Sequence, residues 1–486
     1  MWHRVLAPGD GVIYYLPMHR LVAEALRSGQ MPVWNPFQFS GSPLLATAQP
    51  APFYPLEAFF LAFPASVANN LYVVCNYSIA ALGTFFLVRR LVRDAAGGCV
   101  AALVFVSSGF MYGQISHQSV VAAVAWLPWA LHGLERLREK VDSARVIGLA
   151  VPLAASFLAG QPQMSFLVVL VLVLCGAVQL MLAEPRLRKR LTRCAWTLGA
   201  LTAVEVVAPQ TVAVEEPALA VWIVVLALLV FAFLRLFLRR RPRVAYAALL
   251  ALVAGATSAA AQLLPVMRIV DETSRARLSY SDATSFSFPG SHVILMLFPR
   301  LFGASGSYRG QFNLLDLSGY PGAAALVLAA VGFARARNDA RFVALAAVAG
   351  VAFVAALGRT TAFGFLVWST PILGQFRSWG RYAVVLDLAV AVCAGYGVAT
   401  IREDVDRRAV VRGARVAGLV VAVGLFVPVL PSVAGYSVSG WERAVALVPP
   451  MCAALAALGC IALFRRRLAF AVTACAVIIV ADGVVS

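Results

Sequence analysis

Residues 8–56 read PGDGVIYYLPMHRLVAEALRSGQMPVWNPFQFSGSPLLATAQPAPFYPL, a polar, aromatic and proline-rich opening to a chain of 486 residues. The remainder of the chain is almost unbroken apolar sequence, and the contrast decides the fold class. Hydrophobic residues make up 61% of the chain, charged residues 13%, and the mean hydropathy is +0.84. A soluble protein of this length could not hide so much apolar surface, so composition assigns an all-α polytopic membrane protein. Connections between membrane helices need only be short. A long loop carrying an early acid, Asp10, and clustered Trp34, Asn35, Gln49 and Tyr54 therefore reads as a working site.

The formal charge of +18 does not signal nucleic acid, because of where the basic residues sit. They come in short bursts between apolar runs, at 89–94, 136–145, 186–193, 239–243, 335–341, 402–415 and 465–467. Cytoplasmic loops have this pattern under the positive-inside rule. The eight cysteines lie in or beside apolar runs without CxxC pairing and read as small core residues, not as a disulfide framework or zinc site.

Apolar windows long enough to cross a bilayer fall at 67–88, 98–114, 118–136, 145–160, 163–183, 194–210 and 217–238. Others fall at 244–265, 319–335, 342–357, 380–401, 416–432, 445–464 and 468–485, for roughly 14 spans. Placing every basic burst inside gives one consistent alternation. The chain then divides into a first extracytoplasmic loop (1–66), an N-terminal transmembrane bundle (67–265), a second outer loop (266–318) and a C-terminal bundle (319–486). A shorter outer loop falls at 358–379. Both ends of the sequence come out on the outer face. A long outer tail without a preceding span is hard to export, so a helix is expected upstream of Met1. The last apolar run stops at Ala481 with only DGVVS after it, and further chain is expected there too.

The informative polar residues pool on that outer face. They lie in the opening loop, in 268–318, and in GQFRSWGRY (374–382). GQISHQS (113–119), ahead of AWLPW, and LAGQPQ (158–163) join them, which points to one shared extracytoplasmic cleft. The string from Gly9 to Leu56 resembles the signature loop of the YfhO-like bacterial membrane proteins, members of the GT-C glycosyltransferase superfamily. Further matching strings come in order along the chain: SGFMYGQISHQS, LAGQPQ, QLLPVMRIVDETSR, LFPRLFG, LLDLSGYPG and FRSWGRY. The likeness runs over most of the chain and is weakest in 164–260 and after 400. The helix that such proteins carry ahead of the loop is absent from this sequence, as is their outer C-terminal region.

The resemblance implies a GT-C-like bundle whose outer loops bear short helices, in the bacterial cytoplasmic membrane with the active site outside. It also implies sugar transfer from a polyprenyl-phosphate donor to a cell-envelope polymer or lipid. The chemistry is coherent, because nucleotide sugars are not available outside the cytoplasm and a lipid phosphate must present the sugar. Such an enzyme needs a carboxylate base, cations for the leaving phosphate and an apolar groove for the lipid tail.

Asp10 is the candidate base, flanked by Gly9 and Gly11, although an Asp in a Gly-flanked turn also has a purely local explanation. It acts directly or holds a divalent cation; one carboxylate is no metal site, so the metal stays open. Trp34, Asn35, Gln49 and Tyr54, with His117, suit sugar or acceptor recognition, and an interfacial aromatic belt would explain the aromatic members equally well. The belt also accounts for Tyr14, Tyr15 and His19. Arg275, Arg300, Arg377 and Arg381 fall outside against the charge trend. Of these, Arg275, Arg377 and Arg381 are the candidate donor-phosphate ligands, with headgroup contact or an ion pair to Asp271, Glu272 or Asp316 as the alternative. Arg377 and Arg381 are four apart, so a helix would put them on one face.

His117, Gln161 and Gln163 lie at helix ends, where polar residues usually serve structure. Glu205 and Asp387 fall inside expected spans, where an acid needs a partner or a cavity, and they leave room for a transporter or lipid-linked-sugar flippase. No internal repeat supports that rival, and the polar residues do not pool at mid-membrane. A third alternative is an inactive truncated family member.

Overall fold

The computed structural model describes residues 5–183, 242–273, 276, 278–303, 306–370, 372–403, 407–426, 440–463 and 468–485. The expected windows 194–210 and 217–238, Glu205 and Arg275 lie outside the described residues. The fold is all-α. One two-stranded hairpin, Trp34–Asn35 paired antiparallel with Ser42–Pro43, is the only strand pair among the described residues.

Among the described residues six helices are long and apolar enough to cross a membrane: Ala65–Val92, Ala95–Gly113, Pro162–Leu182, Trp379–Glu403, Arg407–Phe426 and Ala444–Ala462. A seventh candidate is the pair Pro242–Ser258 and Ala260–Glu272, bent by 76°. Ser143–Leu158, Ala323–Ala336 and Ala340–Ala356 are apolar but shorter. The window expected at 118–136 is two helices, Gln118–Val124 and Leu127–Glu139. Pro128 explains the restart, since it lacks a backbone N–H and favours a first turn over a helix interior. The chain is a multi-pass membrane protein that folds as two compact units. One comprises Met1–Leu87, Gln114–Val173 and Leu238–Arg277; the other comprises Val88–Gly113, Leu174–Phe237 and Leu278–Ser486.

In the first unit the opening loop folds onto the membrane helices as an ordered layer. A wide π-type turn, Gly11–Tyr15, runs into the helix Leu16–Arg27, with Pro17 in its first turn. That helix is amphipathic and turns Met18, His19, Val22 and Ala23 inward. Met18, Val22 and Leu44 form its apolar contact with the rest of the layer. Arg27 then donates to the carbonyls of Phe60 (2.8 Å) and Leu61 (3.1 Å), which caps the helix Ala58–Ala62.

Beneath this layer sits a buried His–Glu pair that the sequence does not announce. His19 Nδ1 lies 2.8 Å from Glu57 Oε2, and both side chains are buried. The imidazole stacks on Phe60 at 4.4 Å and 13°, with Tyr72 5.2 Å away. Burial pushes the Glu57 carboxyl above its ordinary range, and the neighbouring His19 opposes that rise.

In the second unit, Trp379–Glu403 is the central helix, with 83% of its apolar window buried. Small residues let its neighbours approach closely. A Cβ on Gly332 would stand 2.3 Å from the Gly397 nitrogen, and one on Gly397 would stand 2.1 Å from the Leu328 carbonyl oxygen. Without a hydrophobic drive between helices in lipid, such close backbone packing is a main source of association. The last described helix, Leu468–Val485, is tied to Ala323–Ala336 by a cap. Asp482 accepts from the Ala323 N–H and from the Tyr320 hydroxyl, both at 2.8 Å, and so satisfies an otherwise open helix N-terminus.

The loop of the second unit carries a buried histidine. His292 Nε2 accepts from the Gln311 N–H at 2.9 Å, Nδ1 faces the Ser291 hydroxyl at 3.0 Å, and Phe302 packs edge-on at 4.8 Å. Burial pushes its pKa down to about 4. A histidine held neutral in the fold takes up a proton more readily when unfolded, so stability falls as pH drops from about 6.5 towards 4. The expected loss is on the order of 2–3 kcal/mol at the acid end. Thermal unfolding across that range should show it, and His292→Gln, which keeps an acceptor for Gln311, should flatten the dependence.

Candidate functional site

Asp10 stands at the start of the opening layer because two glycines shape the chain around it. Gly9 takes a φ of +63°, a left-handed conformation that side chains disfavour, and its carbonyl accepts from the N–H groups of Val12 (2.9 Å) and Ile13 (3.0 Å). Gly11 is pressed inward, where a Cβ would stand 2.6 Å from Ala7 Cβ and 3.4 Å from Gln118 Nε2. Between them the Asp10 side chain points outward and stays 53% exposed.

Its one ionic neighbour among the described residues is His117, with Nε2 at 3.4 Å from Asp10 Oδ2. The other ring nitrogen, Nδ1, lies 2.9 Å from Oε1 of the buried Gln114. With the Gln114 oxygen as acceptor, Nδ1 carries a hydrogen, and a proton on Nε2 or on Asp10 completes the second contact. The Gln114–His117–Asp10 row thus sets an oriented imidazole beside an exposed carboxylate.

A buried polar network holds this arrangement. The Gln118 amide donates to Asn69 Oδ1 at 2.7 Å, the hydroxyls of Tyr15 and Ser119 lie 2.8 Å apart, and the Leu6 N–H donates to Asn70 at 2.9 Å. The segment 113–119 therefore packs its glutamines and serines against the opening loop and the start of Ala65–Val92. The segment 158–163 meets the same loop at Ala48, whose carbonyl accepts from Gln262 at 2.7 Å. A Cβ on Gly160 would be only 2.5 Å from that oxygen. Gln161 and Gln163 are buried alongside. Segments 114–119 and 158–163 thus both meet the opening loop within this unit.

The other recognition candidates divide. Trp34 is 55% exposed on the hairpin, its indole lying over Gly41. Gln49 is half-buried next to the Ala48 turn. Asn35 is turned inward; its oxygen accepts from the Phe37 N–H at 2.9 Å and its amide faces Met18 and Gln38. Tyr54 is also buried, its hydroxyl donating to Asn76 at 2.7 Å and accepting from Trp126 at 3.1 Å. Burial raises its pKa well above the ordinary tyrosine range. Both polar groups are occupied within the protein.

In the second unit Arg381 donates through Nε to Asp316 Oδ1 at 2.7 Å, with both side chains largely buried. Arg377 is exposed. The two do not share a helix face: Ser378, between them, has a φ of +59°, and the short helix begins only at Trp379. Backbone bonds from Ser378 to Ser285 (3.1 Å) and from Gly380 to Phe286 (3.1 Å) hold that break. Arg300 is half-buried. Asp387 is fully buried within its span, and neither of its carboxyl oxygens has a hydrogen-bond partner among the described residues. No group of three or more His, Cys, Asp and Glu suited to a metal occurs among the described residues.

No family model matches the chain, and a search of curated proteins found no match. Among solved structures the chain is similar to the crystal structure of ArnT from Cupriavidus metallidurans bound to undecaprenyl phosphate. The identity is 13% and the TM-score 0.45, over 99% of this chain and 72% of that one. At that score the likeness carries no residue assignment.

The sequence singled out Asp10 and His117 separately. It did not signal their pairing or the part of Gln114. The string GQISHQS held the clue, since polar residues that dense beside an apolar run must find partners.

Proposed function

We propose that the chain is a GT-C-type glycosyltransferase that acts on the extracytoplasmic face of a bacterial cytoplasmic membrane. It moves a sugar from a polyprenyl-phosphate donor to a hydroxyl of a cell-envelope polymer or lipid. The observation that carries this reading is the Asp10 carboxylate, exposed beside His117 at the start of a loop that buries Asn35 and Tyr54. The order of matching sequence strings supports the same class.

In the proposed reaction the acceptor oxygen attacks the anomeric carbon while Asp10 takes the hydroxyl proton. The bond from the anomeric carbon to the phosphate oxygen breaks, and polyprenyl phosphate leaves with the electron pair. His117 keeps the carboxylate aimed and passes the proton on when its ring is charged. Trp34 and Gln49 offer an aromatic face and an amide to a sugar. The role of phosphate cation is assigned to Arg275, Arg377 and Arg381 on residue chemistry alone. A divalent cation bound by Asp10 is compatible with the scheme, and no step depends on one.

Membranes containing the full chain should transfer labelled sugar from polyprenyl-phosphate-linked donors to envelope acceptors, and membranes lacking it should not. His117→Asn should lower the initial rate by about tenfold to a hundredfold with unchanged membrane content, as expected for a positioning residue. An unaltered rate and pH profile in that variant would remove His117 from the mechanism.

A further inference from the structure

Within the second unit, the helices Ala323–Ala336, Ala340–Ala356, Val384–Glu403 and Arg407–Phe426 enclose a lateral cleft of about 480 Å³. That size falls within the roughly 300–1,000 Å³ common for small-ligand sites. Small side chains such as Ala329, Ala346 and Ala389 shape its wall, Phe333 lies along it, and Arg412 and Arg415 are its charged lining residues. Both arginines belong to a helix that is long and apolar enough to span the membrane. At 1.5 Å per residue, Arg415 sits about 12 Å along that helix from its first residue. A charge at such a position needs a counter-charge, a cavity or a route to the interface.

The described neighbouring acids do not supply the counter-charge. Glu403 is paired with Arg335, Asp339 is paired with Arg341 at 2.6 Å and bonded to Tyr396, and Asp94 is paired with Arg402 at 3.2 Å. Asp387 is fully buried and does not line the cleft. Arg412 donates to backbone carbonyls, Ala330 at 3.2 Å and Val331 at 3.3 Å, which pins its guanidinium at the cleft wall without neutralising it. Arg415, three residues on, lies on the same side of the helix. Among the described residues neither arginine has an ion-pair partner. An apolar slot lined by two arginines without an ion-pair partner among the described residues suits a lipid with an anionic phosphate and an alkyl tail.

We propose that this cleft is a binding site for an anionic phospholipid, with the phosphodiester on Arg412 and Arg415 and an acyl chain along Ala329, Phe333, Ala346 and Ala389. None of the cleft's lining residues is a candidate residue for the sugar transfer. The site makes the bound lipid a part of the folded unit, since the lipid supplies the negative charge that the helices lack.

The test uses the full chain, purified and delipidated in a neutral detergent, and titrated with phosphatidylglycerol or with phosphatidylcholine of the same acyl composition. Bound lipid is counted by native mass spectrometry and the unfolding midpoint is followed in parallel. Phosphatidylglycerol should bind at least tenfold more tightly than phosphatidylcholine and raise the midpoint. Arg412→Gln with Arg415→Gln should abolish that preference, and Ala346→Phe, which keeps both charges but fills the slot, should weaken phosphatidylglycerol binding. Equal binding of the two lipids by the unaltered protein would overturn the proposal, whether or not the double variant folds. Retention of the preference in a folded double variant would overturn it as well, by placing the anionic site elsewhere.

Discussion

Asp10→Asn is expected to reduce sugar transfer by about 10²–10⁴-fold, the range that a positioned general base contributes. The amide is nearly isosteric and still faces His117, but it has no lone pair basic enough to take the acceptor proton. Because the side chain is half exposed and its backbone turn is set by Gly9, the substitution should leave folding and membrane content unchanged. The measurement is the initial rate of labelled sugar transfer in membranes with matched protein levels. A variant that retained half of the normal rate would show that the base lies elsewhere.

The second large effect is on stability. Glu57→Leu leaves His19 buried against Phe60 and Tyr72 with its polar partner removed, and breaking such a pair typically costs about 3–5 kcal/mol. The converse change is informative. His19→Phe strands a carboxyl that burial already pushes upward, so the variant should regain stability as pH falls and Glu57 becomes neutral. For a group whose folded pKa is raised, stability is present below the unfolded value and is lost as pH climbs through the folded one. The double variant His19→Phe with Glu57→Leu should unfold close to the native protein, because apolar replacement of a buried pair is often neutral or better. Thermal unfolding of the four proteins across pH 4–8 closes the cycle. Additive losses in the double variant would mean that the two residues do not act as a pair.

Features set by local physics were legible in the sequence. A window of about 20 apolar residues lowers its free energy in lipid whatever its neighbours do, so the helices Ala65–Val92, Pro162–Leu182 and Trp379–Glu403 could be read one by one. The break near Pro128 was legible in principle, because the proline is there to be read; the long apolar window 118–136 masked it. Arg377 and Arg381 show the limit of spacing arguments. Four residues apart means one face only if the backbone between them is helical, and Ser378 is left-handed.

Side-chain orientation in the opening loop was less legible. Trp34 and Tyr54 look alike as candidates for a sugar platform, yet one is exposed and the other fully buried. The difference lies in partners far away in sequence, Asn76 and Trp126, which meet the Tyr54 hydroxyl only once the helices have packed. The His19–Glu57 pair was hidden for the same reason. Neither residue has a local pattern that calls for the other.

Composition and periodicity therefore determined that this protein lives in a membrane as a set of apolar helices behind a polar opening loop, because burial energies accumulate along each segment independently. Tertiary structure alone decided what the loop does with its polar groups. It spent Asn35, Tyr54, Gln118 and Tyr15 on internal bonds and left Asp10 outward against His117. A buried polar group must find a partner or lose several kcal/mol, and which partner lies within about 3 Å is settled by the packing of distant segments.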